Sequence, residues 1–234
     1  MKKISFVAIF SVLLLAGCAS TRPASEEAVC DCQRVVRVPD EAFRTWLVDK
    51  GYAEKVRGRK LKATEKGCTL TSLECYSQGI HSLEGIEIFP QLEQVTCSDN
   101  PISKLDLSAL HNLQKLYCIN VPLETIDLSQ CHRLTNIQLS YTHLEHIDLT
   151  PHPDLTELLC IFSPIDNVDL SPCRKLNLIY LRGTQIHELD IRPCVALWQL
   201  HALDTPLQCL IISPEQYDSD IKASIEDTVK IIVR

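Results

Sequence analysis

Apolar residues recur with a fixed period along most of the chain. Successive 21-residue units begin at Leu92, Leu113, Leu134, Leu155, Leu176 and Leu197, and a unit one residue longer begins at Leu70. Most units follow the pattern L-x-x-L-x-C/L-x-x-x-x-I/L-x-x-L-D-L-S, and the last is degenerate. A fixed period in the twenties predicts a solenoid of about seven coils, in which each unit buries its apolar residues against its neighbours.

Each unit contains two short segments in which apolar and variable residues alternate, as in half-buried strands. The first covers positions 3 to 6 of the unit, and the second is the segment that reads KLDLS, TIDLS, HIDLT, NVDLS or ELDIR. We therefore expect two parallel sheets. Since side chains alternate along a strand, positions 4 and 6 point inward, positions 3 and 5 point outward, and positions 7 and 8 continue the outer rim.

The two ends depart from the repeat. Residues 39–52 predict an amphipathic helix that covers the first coil, with Asp40 as its N-cap and Gly51 at its end. A basic loop follows at residues 55–66, expected to be solvated, with contact to anionic lipid headgroups as the alternative. At the other end, Ile221, Ile225 and Val229 suggest a short helix face, and VKIIV predicts a strand that pairs with the last coil.

The cysteines of the repeat suggest a metal site at first sight, because Cys118, Cys131 and His132 lie within fifteen positions. However, Cys118 occupies the sixth position of its unit, where other units have Leu or Ala, and Cys131 occupies the nineteenth. A position that accepts Leu, Ala or Cys is a core position, and free cysteine behaves as a small buried hydrophobe. We therefore predict two interior cysteine ladders and no metal ligation. Cys68 is expected to pair with Cys30 or Cys32.

A column of acidic residues also repeats, at Asp106, Asp127, Asp148, Asp169 and Asp190. Cation binding is one interpretation, but each Asp lies between buried apolar neighbours of a strand and should face solvent. No cofactor is expected. No nucleophile, acid pair or metal set recurs at convincing positions, so the sequence does not predict an enzyme.

The N-terminus resembles a bacterial lipoprotein signal. Lys2 and Lys3 precede a short apolar run, and LAGC follows it with Cys18 at the position of the lipobox cysteine. The resemblance implies cleavage before Cys18, diacylation of its thiol, including palmitate, and attachment to the cell envelope. Ordinary signal cleavage nearby is the alternative. Ala19 and Ser20 lack the Asp that retains lipoproteins at the inner membrane, which favours the outer membrane.

The repeat itself resembles the leucine-rich repeat, L-x-x-L-x-L-x-x-N-x-L, and the 21-residue repeats of Bacteroidetes-type and internalin-like proteins. The resemblance implies a leucine-rich repeat solenoid of parallel strands with few helices, an N-terminal helical cap and a C-terminal strand cap. One departure concerns position 9, where this family usually has Asn. Here only Asn100 remains, and the other units have Gln, Val, Thr or Ser. Some relatives look EF-hand-like near the basic loop, but this chain lacks the alternating acids, so no calcium is expected.

Length and composition are ordinary for one folded domain: 234 residues, 45% hydrophobic and 23% charged. The net charge of −7 argues against nucleic acid as a partner. We divide the chain into a signal peptide (1–17), a lipidated tether (18–38), an N-terminal cap (39–69), leucine-rich repeats (70–217) and a C-terminal cap (218–234).

The outward positions of the first sheet hold a run of apolar and aromatic residues in adjacent units. A contiguous exposed patch of this kind usually marks an interaction site. The predicted ligand-binding residues are Tyr117, Ile119, Tyr141, Leu159, Ile161, Phe162, Leu178, Tyr180 and Arg182. The sequence thus favours a membrane-anchored recognition module that binds a protein or a glycan through its curved sheet. A structural envelope spacer and, less favoured, an enzyme inhibitor are the alternatives.

Overall fold

The computed structural model describes residues 34–234. The expected signal peptide, the lipidation residue Cys18 and most of the expected tether lie outside this range. None of the helices in residues 34–234 has the length and hydropathy that a membrane crossing requires.

The described part begins with a small cap that combines strands and helices. Its elements are β1 (Val35–Arg37), α1 (Glu41–Asp49), β2 (Ala53–Lys55), β3 (Lys60–Ala63) and α2 (Glu65–Cys68). The predicted helix is confirmed as α1: the Asp40 side chain accepts a hydrogen bond from the Phe43 backbone N–H at 2.7 Å, and Gly51 follows in the left-handed region. Phe43 and Leu47 are fully buried against the first coil, so α1 serves as the predicted lid.

The basic segment after α1 was expected to be a loop, and this expectation is wrong. It forms the antiparallel hairpin β2–β3, which β1 extends to a three-stranded sheet in the order β1-β3-β2. Leu61 and Ala63 point into the core, whereas Lys60 is exposed and Lys62 is half-buried. The segment therefore has the two-residue period of a half-buried strand.

Cys68 is disulfide-bonded, as predicted for this residue. Its expected partners, Cys30 and Cys32, lie outside the described residues.

Residues 70–234 form the solenoid. Its strands are β4 (Ser72–Glu74), β5 (Gln94–Thr96), β6 (Lys104–Asp106), β7 (Lys115–Tyr117), β8 (Thr125–Asp127), β9 (Asn136–Gln138), β10 (Glu157–Leu159), β11 (Leu178–Tyr180), β12 (Glu188–Asp190), β13 (Gln199–His201), β14 (Cys209–Ile212), β15 (Lys222–Ser224) and β16 (Lys230–Val233). A short 3-10 helix spans Ile86–Ile88, and α3 spans Pro214–Tyr217.

The first sheet is continuous and parallel, with eight strands in the order β15-β13-β11-β10-β9-β7-β5-β4. From β5 to β13 each residue pairs with the residue 21 positions further along the chain, for example Leu158 with Ile179. Position 4 of the unit is buried in every coil from Leu73 to Leu200, while positions 3 and 5 are partly or largely exposed. The leucine-rich repeat solenoid and the register predicted from the period are confirmed.

The second sheet is less regular than the repeat predicts. It consists of a pair, β6-β8, and a separate three-stranded sheet, β12-β14-β16. In the two coils between them, the described residues form only an isolated bridge, from His146 to Asn167. In the first coil the residues equivalent to β6, 82–84, form no strand, and the 3-10 helix Ile86–Ile88 follows them. The coils are therefore aligned mainly by the first sheet.

The C-terminal segment adds an eighth coil, one more than the expected seven. β15 continues the first sheet and β16 continues the second, which confirms the strand predicted for VKIIV. The helix suggested by Ile221, Ile225 and Val229 is wrong. Those residues flank β15 and β16 instead. At the corner of a coil, residues four apart can also point to the interior, and here Ile225 packs against the core and Val229 is buried.

Candidate functional site

The predicted ligand-binding residues all lie on the outer face of the first sheet or on its rim. Tyr141, Phe162 and Arg182 are exposed, and the other six are partly exposed. The strand register places Leu159 beside Tyr180 on this face. The inward neighbours Leu158 and Ile179 are fully buried, so the face and the core are cleanly separated.

The rim of this face is a column of left-handed residues, one per coil, at position 8 of the unit. We name it the edge column: Ser77, Asp99, Asn120, Tyr141, Phe162, Gly183 and Asp204. Backbone hydrogen bonds of 2.7 to 3.0 Å run along it, each from the N–H of an edge residue to the carbonyl of the preceding position in the next coil. The ladder holds the column in register and fixes where its side chains project.

Tyr141 and Phe162 are the unusual members of the edge column. Asn, Asp and Gly tolerate a positive φ, whereas a bulky residue there is a conformational outlier that costs on the order of 1–2 kcal/mol. Tyr141 has φ 56° and Phe162 has φ 52°. Both side chains are also largely exposed, at 53% and 43%. Strained residues of this kind cluster at functional sites.

The two aromatic rings form one platform. Their centroids are 5.4 Å apart with an interplanar angle of 31°. On the far side of Phe162, the Arg182 guanidinium lies 5.5 Å from the ring centroid and pairs with Asp204 at 2.7 Å. A Cβ atom at Gly183 would overlap the Phe162 ring, so the absence of a side chain at Gly183 lets the ring pack against the next coil.

A second cluster adjoins the platform. Its member Tyr180 was among the predicted site residues, whereas Gln199 and His201 were not. The Tyr180 and His201 rings are 4.4 Å apart, and the Gln199 amide donates to the Tyr180 hydroxyl at 2.9 Å. The Gln199 amide nitrogen also lies 2.6 Å from His201 Nε2. These bonds fix the orientation of Tyr180 and leave its ring on the outer face.

The predicted patch is not fully continuous. Gln138 lies between Tyr117 and Leu159 in the strand register, and the buried side chain of Ser140 separates Ile119 from Ile161. Tyr117 therefore stands apart from the platform. Burial, followed by the negative charge of Glu157, raises the pKa of the Tyr117 hydroxyl, which stays neutral.

Polar side chains behind the edge column stabilise the turn. Asn100 is 2% exposed; its Oδ1 accepts from the N–H groups of Gln78 and Ile80, and its Nδ2 donates to the carbonyls of Cys75, Cys97 and Ser98. In later coils hydroxyl groups bond to the turn carbonyls. These bonds come from Thr142, Ser163, Thr184 and Thr205. Hydroxyls thus replace part of the asparagine ladder.

The repeated aspartates form turns. Asp106, Asp127, Asp148, Asp169 and Asp190 each accept a hydrogen bond from the backbone N–H two residues later, at 2.8 to 3.0 Å. Hydrogen bonds from the Ser129 N–H and hydroxyl lower the pKa of the Asp127 carboxyl, and hydrogen bonds from the Thr150 hydroxyl and N–H lower that of Asp148. All but Asp190 are exposed, as predicted. The same four have the D-x-S/T pattern of Asx turns, which was the signal for their role, whereas Arg192 stands two residues after Asp190.

The cysteine ladders are buried. Cys75, Cys97, Cys118 and Cys160 at position 6, and Cys131, Cys173 and Cys194 at position 19, have no exposed surface and are free thiols. Burial raises the pKa of Cys160 and Cys194 to about 12, so both remain protonated and unreactive at neutral pH. Within residues 34–234 no three His, Cys, Asp or Glu side chains form a set that fits a metal ion.

No family model matches this chain. A curated relative, Internalin J of Listeria monocytogenes serotype 4b (strain F2365), is 35% identical over 74 residues, which are 29% of this chain and 8% of the relative. The chain therefore spans only a small fraction of that relative's length.

Solved structures of internalins share the fold. Internalin C2 of Listeria monocytogenes matches with a TM-score of 0.55 and 18% identity over 82% of both chains. The internalin inlF of the same organism matches with a TM-score of 0.50 and 20% identity over 83% of this chain and 68% of its own. The functional domain of internalin J, described as including a cysteine ladder, reaches a TM-score of 0.39 at 19% identity over 86% of this chain and 64% of that one. The first two likenesses support an internalin-like leucine-rich repeat fold.

Proposed function

We propose that this protein is a recognition module, attached to the cell envelope through a lipid on Cys18, that binds a protein partner through the outer face and rim of its first sheet. Repeat solenoids use such extended sheet faces for binding. The observation that carries the proposal is the exposed Tyr141–Phe162 platform, which two strained backbone positions hold in place.

The composition of the face supports a protein ligand. Tyr and Arg are enriched among the residues that dominate binding energy at protein interfaces, and the Tyr141, Phe162, Tyr180 and Arg182 side chains lie on adjacent coils. A spacer has no need of large exposed aromatic residues at left-handed positions, where Asn or Asp fits with less strain. A glycan that stacks on the two rings is the second candidate.

An enzymatic role is not part of the proposal. The buried thiols are protonated at neutral pH, and the Asp column forms turns. The enzyme-inhibitor alternative would use the same face.

Two glycine substitutions separate binding from folding. Gly183→Ala and Gly79→Ala both place a side chain at a left-handed glycine, at φ 71° and 67°, and each should cost about 1 kcal/mol of stability. Only the Gly183 variant displaces the Phe162 ring, because no atom of the described residues lies within 4 Å of a Cβ at Gly79. Capture of partner from envelope extract on the immobilised soluble chain should fall at least about tenfold for Gly183→Ala alone, a loss of about 1.4 kcal/mol.

Equal capture by both glycine variants and the unmodified chain would contradict the role of the platform. Thermal melting of the two variants provides the folding control.

Attachment is tested at Cys18. A Cys18→Ser substitution removes the thiol that would be acylated, so the chain should leave the membrane fraction. Fractionation and metabolic labelling with a palmitate analogue measure the outcome. Label on the Ser variant, or unchanged membrane association in high salt, would refute the lipid anchor.

A further inference from the structure

Charge is unevenly distributed between the cap and the solenoid. Residues 34–66 carry ten Lys and Arg against five Asp and Glu, whereas residues 67–234 carry ten against twenty-two. The protein therefore has one basic end on an otherwise acidic body. Such an asymmetry orients a molecule in the field of a charged surface.

The basic charge is concentrated at one structured element. We name it the cap hairpin tip: residues 55–60, from the last residue of β2 to the first residue of β3. Lys55, Arg57, Arg59 and Lys60 are exposed there, and none of the four forms an ion pair with another described residue. Nearby Arg37 and Lys62, by contrast, pair with Glu84 and Glu54. The four unpaired cations leave the tip strongly positive.

The tip has a defined shape and an apolar residue. Backbone hydrogen bonds join Val56 N–H to the Lys60 carbonyl and Lys60 N–H to the Arg57 carbonyl, at 3.1 and 3.2 Å, and Gly58 turns the chain at φ 60°. Val56 is 51% exposed among the four cations. An apolar side chain within a basic cluster matches the headgroup region of a membrane, where apolar and anionic groups meet.

The cap is also the described part of the chain that lies nearest in sequence to the proposed anchor. The described part begins at Arg34, directly before β1, and β1 pairs with β3 of the hairpin. Cys18 precedes Arg34 by sixteen residues, a reach of at most about 55 Å. A lipid on Cys18 would therefore keep the hairpin within reach of the bilayer surface.

We propose that the cap hairpin tip docks on anionic phospholipid headgroups and orients the solenoid with its acidic body pointing away from the membrane. Lys55, Arg57, Arg59 and Lys60 bind the phosphates, and Val56 enters the headgroup layer. The inference rests on the proposed attachment at Cys18 for its location, and it is independent of the ligand of the first sheet.

The test uses the unlipidated chain from residue 19 to 234, so that the hairpin acts without the anchor. Co-sedimentation is measured with vesicles of 30% phosphatidylglycerol in phosphatidylethanolamine and with vesicles of phosphatidylcholine. Each Lys or Arg at an anionic surface adds attraction, and salt screens it. We expect binding to the anionic vesicles only, lost at high salt, and reduced at least tenfold when Lys55, Arg57, Arg59 and Lys60 are all changed to Gln.

A matched variant controls for net charge. Changing Lys104, Lys115, Arg174 and Lys230 to Gln removes the same charge from exposed positions of the solenoid, and it should leave vesicle binding within about twofold. Equal loss in both variants would overturn the proposal, as would binding to heparin without binding to vesicles. Partner capture by the hairpin variant should be unchanged, so a failure here is distinguishable from a failure of the sheet-face function.

Discussion

Replacing Asn100 by Ala is expected to lower the free energy of unfolding by about 3 kcal/mol, because several buried backbone groups lose their partner at once. The Asn100 side chain is the shared partner of two N–H groups and three carbonyls in the first two coils. Ile80 is fully buried, so water cannot replace the Asn100 side chain as the partner of its N–H. The melting temperature should fall by roughly 6–12 °C.

Two further variants serve as a partial rescue and as a control for Asn100→Ala. Asn100→Thr should recover part of the loss, since Thr184 and Thr205 at the same position bond to a carbonyl of their own coil. Asn167→Ala, at an exposed asparagine, should change stability by no more than about 0.5 kcal/mol. If Asn100→Ala melts with the unmodified chain, the hydrogen bonds assigned to Asn100 do not stabilise the turn.

The largest stabilisation is expected from His152→Leu. His152 replaces a cysteine in the ladder of Cys131, Cys173 and Cys194 and has no exposed surface. Neither of its ring nitrogens has a hydrogen-bond partner within residues 34–234. An unpaired buried polar group costs about 1–3 kcal/mol, and Leu110 occupies the equivalent position of another coil. The variant should be more stable by that amount.

The same variant should alter the dependence of stability on pH. Burial lowers the pKa of the His152 ring below its ordinary value of 6.5, although the nearby Cys131 carbonyl and Asp148 carboxylate act in the opposite direction. The folded chain then binds fewer protons than the unfolded chain, so stability is lost as the pH falls through 6.5 towards the folded-state pKa. The loss cannot exceed about 1.4 kcal/mol per pH unit for one group.

Denaturant unfolding at pH 7.5 and pH 5.5 measures both effects. The difference between the two pH values should shrink in His152→Leu and stay unchanged in His143→Gln, which alters an exposed histidine. A His152→Leu chain that is less stable than the unmodified chain at pH 7.5 would show that the imidazole has a partner.

Much of the architecture follows from the period. Because pairs such as Leu158 and Ile179 are 21 residues apart, the repeat alone specifies which residues stack and which face of each strand is buried. The eighth coil was not predicted. Its strand β15 pairs Lys222 with Gln199, 23 residues earlier, and Asp220 stands where earlier units have Leu. A short insertion and one polar residue were enough to hide the pattern.

The site was predictable in position but not in conformation. Alternation along the strand placed Leu159, Leu178 and Tyr180 on the outer face without reference to the fold family. The left-handed edge column left a signal, since Asp99, Asn120, Gly183 and Asp204 share one position and are residues that tolerate positive φ. The ring contact between Tyr141 and Phe162 depends on side-chain directions that no spacing specifies.

Site-specific photo-crosslinking in the cells that make the protein tests the central claim most directly. A photoreactive phenylalanine analogue replaces Tyr141 on the platform or, as the control, Tyr217, which is also aromatic and is 62% exposed in α3. Recognition through the first sheet predicts a discrete protein adduct from position 141, absent at position 217 and lost when Gly183→Ala is added. Adducts of equal yield from both positions, or none from position 141 while the chain is folded, would contradict recognition through the first sheet.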